Sequence, residues 1–175
     1  MTTSAPIATN RPDITLRPAT RDDVPLIFAL IRELADYERE PDAVKTDEAQ
    51  LAANLFGAHP GAEVVIAHVD GEPAGFALFF HNFSTWLGRR GLYLEDLFVR
   101  PHYRGRGVGQ VLMAHLAKLA VERDCGRFEW SVLDWNSPAI GFYRRLGAVG
   151  MDEWTVQRLT GAALRALADD LAPRR

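Results

Sequence analysis

The stretch Tyr103-Arg104-Gly105-Arg106-Gly107-Val108-Gly109-Gln110 sets three glycines and two arginines between an apolar run and an amphipathic helical pattern. A strand, a glycine loop and a helix in that order aim the unpaired N–H groups of the helix start at an anion. Glycines at 105, 107 and 109 remove the Cβ atoms that would hold a phosphate off the backbone. Arg104 and Arg106 can add charge-assisted bonds. The pattern G-x-x-x-x-G-K-[ST] is absent, and G-x-G-x-G is not the spacing of a dinucleotide fingerprint. A turn that merely packs helix against strand is the competing reading.

Two other sets of residues carry chemistry. Glu95 and Asp96 interrupt the apolar run 91–99. Consecutive strand residues point to opposite faces, so at most one of these carboxylates shares a given side of a sheet. A buried carboxylate is costly unless paired or functional, and a structural ion pair accounts for it equally well. Tyr143 lies at helical spacing from Ile140 and Leu146 and fits a packed core aromatic by pattern alone. The single cysteine, Cys125, excludes an internal disulfide and a multi-cysteine metal site. Its place before Gly126 reads as a packed thiol rather than an acyl carrier. Five histidines lack metal-ligand spacing, so no metal is expected.

The bulk properties narrow the class. With 175 residues, 47% hydrophobic and 25% charged, the chain fits one globular α/β domain over 14–175 behind a loose N-terminal tail over 1–13. A net charge of −3 argues against general nucleic-acid binding. No segment approaches the roughly 20 apolar residues of a membrane span, and no signal peptide is visible. A cytoplasmic protein is expected.

The elements that must position these residues follow from periodicity. Strands are predicted over 14–19, on either side of the Asp70-Gly71 turn, over 91–99, over 127–133 and over 154–159. Helices are predicted over 22–38, 46–56, from Val108 onward, over 136–147 and over 161–171. Thr20 and Asp23 supply helix-start chemistry, and Pro138 and Gly147 bracket the fourth helix. The order predicts a mixed sheet flanked by helices.

Taken together, "LIRELADYE", "STWLGR", "LYLEDLFV", "YRGRGVG", "VLDWN" and "FYRRLGA" resemble the GCN5-related N-acetyltransferase (GNAT) superfamily in its diamine acetyltransferase branch. That branch holds spermidine/spermine and thialysine acetyltransferases. The resemblance implies a mostly antiparallel central sheet, acetyl-CoA as co-substrate and direct acetyl transfer to a small cationic amine. It implies that Arg104, Gly105, Arg106, Gly107, Val108, Gly109 and Gln110 hold the pyrophosphate. The backbones of Leu97, Phe98 and Val99 would face the pantetheine arm, and the segment Asn136, Ser137, Pro138 and Ala139 would contact CoA. Capping explains Asn136 equally well.

On the same resemblance, Glu95 takes the role of base or amine anchor, with Asp96 as a secondary substrate or structural acid. Tyr143 takes the role of proton donor to the departing thiolate. Tyr37, Glu38, Trp86, Glu129, Trp130 and Ser131 match acceptor-site positions, although Glu38 also fits a solvated helix end. Where the spermidine enzyme has an aspartate before Pro-Trp, this chain has Ser84-Thr85-Trp86, which favours a small diamine or lysine-like amino acid at least as much as spermidine. A homodimer is implied by resemblance alone. Acetylation of a protein lysine or N-terminus, and a non-catalytic acyl-CoA sensor, are the alternatives.

Overall fold

Residues 5–171 are described in the computed structural model of the chain. They divide into two compact units, joined in sequence at Ser131–Val132.

The first unit is built on a five-stranded sheet in the order β1 (Ile14–Pro18), β2 (Glu63–Val69), β3 (Glu72–Ser84), β4 (Arg89–Val99), β5 (Phe128–Trp130). The first four strands run antiparallel and β5 lies parallel to β4. This is the expected mixed, mostly antiparallel arrangement. Asp70 and Gly71 both take positive φ, as a two-residue hairpin turn between β2 and β3 requires.

Residues Val64 to Ala67 of β2 are all buried, so both faces of the sheet are covered. On one face α1 (Val24–Tyr37) and α2 (Glu48–Phe56) supply Ile27, Leu30, Leu34 and Leu55 to a core with Ile66, Phe76 and Phe98. The other face carries α3 (Val108–Glu122), which buries Val108, Leu112 and Leu116 and contacts β1 to β4.

The start of α1 is set by chemistry legible in the sequence. Thr20 N–H donates to Asp23 Oδ2 at 2.7 Å, and Arg17 grips the same carboxylate with both terminal nitrogens at 2.7 and 2.6 Å. That pairing holds the Asp23 carboxyl down at about 2. Asp47 caps α2 by accepting from Gln50 N–H at 2.8 Å.

Three expectations need correction. The strand expected over 127–133 keeps a ladder only from Phe128 to Trp130. The strand expected over 154–159 does not form, because its residues meet no ladder partner among the described residues and are exposed throughout. The tail expected over 1–13 is tied down from Ile7, whose N–H donates to Leu16 O at 2.7 Å; its first four residues lie outside the described range.

The second unit contains α4 (Ser137–Arg145) and α5 (Gly161–Asp169). Asn136 Oδ1 caps α4 by accepting from Ala139 N–H at 3.3 Å, and Asn136 is itself buried. Among the described residues, no helix is long and apolar enough to cross a membrane.

Gly75 pairs with Val99, and a Cβ added there would fall on the Phe98 carbonyl oxygen and 3.0 Å from Val99 Cα. Backbone cannot yield as a flexible side chain can. Gly75→Ala is therefore expected to cost about 1–3 kcal/mol, the usual range for overpacking. Urea denaturation checks this, and an unchanged midpoint contradicts the close approach.

Candidate active site

The centre of the site is an irregularity in β4. Leu94 pairs with Phe79 and Asp96 pairs with Leu78, so Glu95 is an extra residue, a β-bulge. A bulge resets the side-chain alternation. Phe98 joins the α1/α2 core, and Asp96, opposite Leu78, lies on that same side of the strand. Glu95 is left exposed. Strict alternation, assumed from the sequence, does not hold here.

The electrostatics single out Asp96. Its carboxyl is pushed up to about 6, first by burial and then by the charges of Glu95 and Glu38. Burial also raises Glu38, at the end of α1. Three carboxylates thus share one field around the bulge. An arriving cation would relieve that repulsion.

Beyond the bulge β4 loses a neighbour. The β4–β5 ladder ends at Leu94–Trp130, so within the first unit Leu97, Phe98 and Val99 have a ladder on the β3 side alone. Their other backbone edge is available to an extended ligand. Phe98 is buried, whereas Leu97 and Val99 are half-buried.

The glycine loop follows directly. After a 3-10 turn over Pro101–Tyr103, Gly105 and Gly107 take φ of 74° and 86°. Gly107 is the N-cap of α3, and no side chain caps that helix. The first N–H groups of α3, from Val108, Gly109 and Gln110, therefore have no partner within the helix. The space where a Gly105 Cβ would project is open.

The two arginines of the loop contact other parts of the chain. Arg104, though exposed, lies back against the fold: its Nε donates to Val99 O at 2.8 Å, and its guanidinium lies 4.4 Å from the centre of the Tyr37 ring. Arg106 points to Asp70 at 3.2 Å and Asp13 at 3.7 Å. Arg104 thereby links the glycine loop to the end of α1, where Tyr37 and Glu38 sit. Arg100 reinforces that link by pairing with Glu33 of α1 at 2.7 Å.

The remaining expected acceptor residues separate. Glu129 is engaged by Asn82 Nδ2 at 3.0 Å and Arg127 Nε at 2.8 Å, so its charge is already matched. Trp130 pairs with the Phe128 ring at 4.9 Å, and Ser131 Oγ lies 2.8 Å from Tyr93 Oη. Trp86, 87% exposed at the tip of the β3–β4 hairpin, stands at the far end of β4 from the bulge. At ~3.4 Å per residue that is roughly 20 Å along the strand. Tyr143 lies on α4 of the second unit, half-buried beside Phe142 at 5.3 Å between ring centres. Ser137, Pro138 and Ala139 form the first turn of α4. Among the described residues no cluster of His, Cys, Asp and Glu could hold a metal.

Residues 27–148 match the Acetyltransferase (GNAT) family. The chain is 39% identical to a thialysine N-epsilon-acetyltransferase of Sus scrofa, with 89% of this chain and 97% of that protein aligned. It is 34% identical to an L-ornithine N5-acetyltransferase of Arabidopsis thaliana, over 87% and 86% of the two chains. Among solved structures, an integron cassette protein from the mobile metagenome of V. cholerae superimposes with a TM-score of 0.75 at 28% identity, covering 90% of this chain and 99% of that one.

The raised Asp96 carboxyl has a stability consequence. A folded value of about 6 against an ordinary 3.8 means that the fold binds this proton more tightly than the unfolded chain does. The resulting stabilisation is complete below about pH 3.8 and is lost as pH rises through about 6. Asp96→Asn removes the ionisation, so relative to the native chain it should gain up to about 3 kcal/mol at pH 8 and little at pH 4. Thermal melts at both pH values check this; equal shifts at the two would contradict a perturbed Asp96.

Proposed function

The chain belongs to the GNAT acetyltransferase family, and we propose that it carries the acetyl group of acetyl-CoA to a primary amine of a small cation by direct attack in a ternary complex. The observation that carries this reading is the bulge, which sets a carboxyl of raised pKa one residue before the open edge of β4. The glycine loop and the uncapped start of α3 follow at the end of that strand.

Acetyl-CoA supplies the thioester, with its pyrophosphate on the 104–110 backbone and its pantetheine arm along Leu97–Val99. An alkylammonium must lose a proton before it can attack. Glu95, exposed beside the bulge, anchors the ammonium, and Asp96 takes its proton. The neutral nitrogen then adds to the thioester carbonyl carbon, and a backbone N–H near Leu97 stabilises the oxyanion. Collapse breaks the C–S bond, and the thiolate takes a proton from Tyr143. The surplus proton on the new amide nitrogen passes through solvent to restore the Tyr143 phenol, while Asp96 releases its proton to water. The resemblance, rather than a measured distance, assigns Tyr143 this role.

The acceptor class rests on charge. Glu38, Glu95 and Asp96 interact through one field, and a compact cation suits it. With Glu129 matched by Asn82 and Arg127, little negative charge is left over for the far end of a long polyamine. Thialysine and ornithine, the substrates named for the two relatives, are lysine-like diamino acids. We place thialysine- or ornithine-like acceptors ahead of spermidine and of protein lysines. The protein is read as cytoplasmic and as a homodimer without nucleic-acid or membrane partners. Exposure of Met151, Trp154 and Val156 around a segment without a ladder partner supports association with a second copy.

Four measurements test this reading. A CoA-release assay over thialysine, ornithine, spermidine and lysine peptides should give the highest kcat/KM with a diamino acid; preference for peptides overturns the acceptor class. Tyr143→Phe should lower kcat by 10²–10⁴-fold, about the usual worth of general acid help, with the melting temperature retained. The low-pH limb of kcat/KM, with an apparent pKa near 6 in the native enzyme, should vanish in Asp96→Asn; its persistence there removes Asp96 as the proton acceptor. Light scattering that gives a monomer mass would remove the dimer.

A further inference from the structure

A third arginine reaches the glycine loop, and it comes from the N-terminal segment rather than from the motif. Arg11 Nη1 lies 2.8 Å from the point where a Gly107 Cβ would stand. A Cβ at 107 would push this guanidinium aside, a cheap shift for the end of a flexible side chain, so it is the φ of 86° that calls for glycine here. The contact lies at the N-cap of α3, beside the unpaired N–H groups that open the helix.

The segment carrying Arg11 is built to hold it there. Ile7 N–H donates to Leu16 O, and Ile14 N–H donates to Arg11 O at 3.1 Å. Arg11 N–H donates to Thr9 Oγ1 at 3.1 Å, and the Thr9 hydroxyl lies 2.7 Å from Ile14 O and 2.8 Å from Arg11 O. The backbone thus turns back on β1 and is fixed on both sides of Arg11. A side chain on a pre-ordered turn loses less freedom on binding.

The neighbouring charges are arranged for exchange. Asp13 lies between two arginines, 3.4 Å from Arg11 Nε and 3.7 Å from Arg106 Nη2. Asp70 takes the nearer contact with Arg106. Arg104 is committed to Val99 O and the Tyr37 ring. Arg11 is therefore the arginine whose charge already stands at the helix start. It meets Asp13 through two nitrogens, Nε to Oδ1 and Nη2 to Oδ2, each at 3.4 Å, long contacts of an exposed pair that solvent weakens.

We propose that Arg11 is a further acetyl-CoA-binding residue, whose guanidinium bonds a phosphate oxygen of the co-substrate seated on the start of α3. The proposal rests on reading the 104–110 loop as the pyrophosphate site. It makes the N-terminal turn part of the co-substrate site, with Asp13 as a built-in competitor for the same guanidinium.

The test is calorimetric titration of the full chain and its variants with CoA and with pantetheine, which has no phosphate. Arg11→Gln should raise the CoA Kd about ten-fold, in line with a charge-assisted bond, while Arg11→Lys should recover most of the loss. The loss should shrink at high ionic strength, and pantetheine binding should be the same in all variants. Asp13→Asn, which releases Arg11, should tighten CoA about two- to three-fold, the scale of an exposed ion pair. A merely structural role for the turn would not discriminate between the two ligands. If Arg11→Gln binds CoA like the native chain while Gly107→Ala weakens it, the loop reading stands and the proposal is overturned. If neither variant changes CoA affinity, the loop is not the phosphate site and both readings fall. Equal weakening of CoA and pantetheine by Arg11→Gln also overturns the phosphate contact.

Discussion

The site depends on a mismatch in β4. Among the described residues of the first unit, the strand is paired on one side with β3 along its whole length and on the other with β5 for three residues only. A central strand ordinarily satisfies its backbone on both edges, and buried groups left without partners are costly. An edge released in the middle of a sheet is therefore a place for something extended to bind. The bulge at Glu95 lies one residue past the last β5 pairing, so the side-chain pattern changes where the backbone edge becomes free.

This coincidence organises the charges. The bulge turns Asp96 toward the side of the strand carrying Phe98 and the α1/α2 core, within the field of Glu38, while Glu95 remains exposed. Two adjacent carboxylates thereby acquire different environments, which suits one to holding a cation and the other to exchanging a proton. The Arg100–Glu33 pair ties α1 to the end of β4 beside this group.

Arg104 ties the glycine loop to the end of α1. Its guanidinium lies over the Tyr37 ring and its Nε bonds Val99 O. Arg106 pairs with Asp70 and Asp13. In a motif defined by backbone approach the glycines matter for their conformation, and the arginine side chains are free to serve neighbouring structure. The cation at Gly107 comes from Arg11, well outside the motif.

Much of this was legible in the sequence because it depends on local chemistry. Alternation and periodicity placed the first four strands and the helices to within a few residues, and Asp70-Gly71, Thr20-Asp23 and Asn136 set turns and caps through bonds to near neighbours. The glycine loop and its helix follow from residue types at fixed offsets. What tertiary structure decided was every property that needs a partner distant in sequence. A bulge is visible only as a shift against β3, so the sequence could not show that Glu95 would be exposed and Asp96 perturbed. The shortening of β5 and the absence of a strand over 154–159 depend on which edges are available to pair. The directions of Arg104, Arg106 and Arg11 were settled by Tyr37, Asp70 and Gly107, because a long cationic side chain goes to the nearest matched charge, ring or open space, and only the folded chain says what lies there.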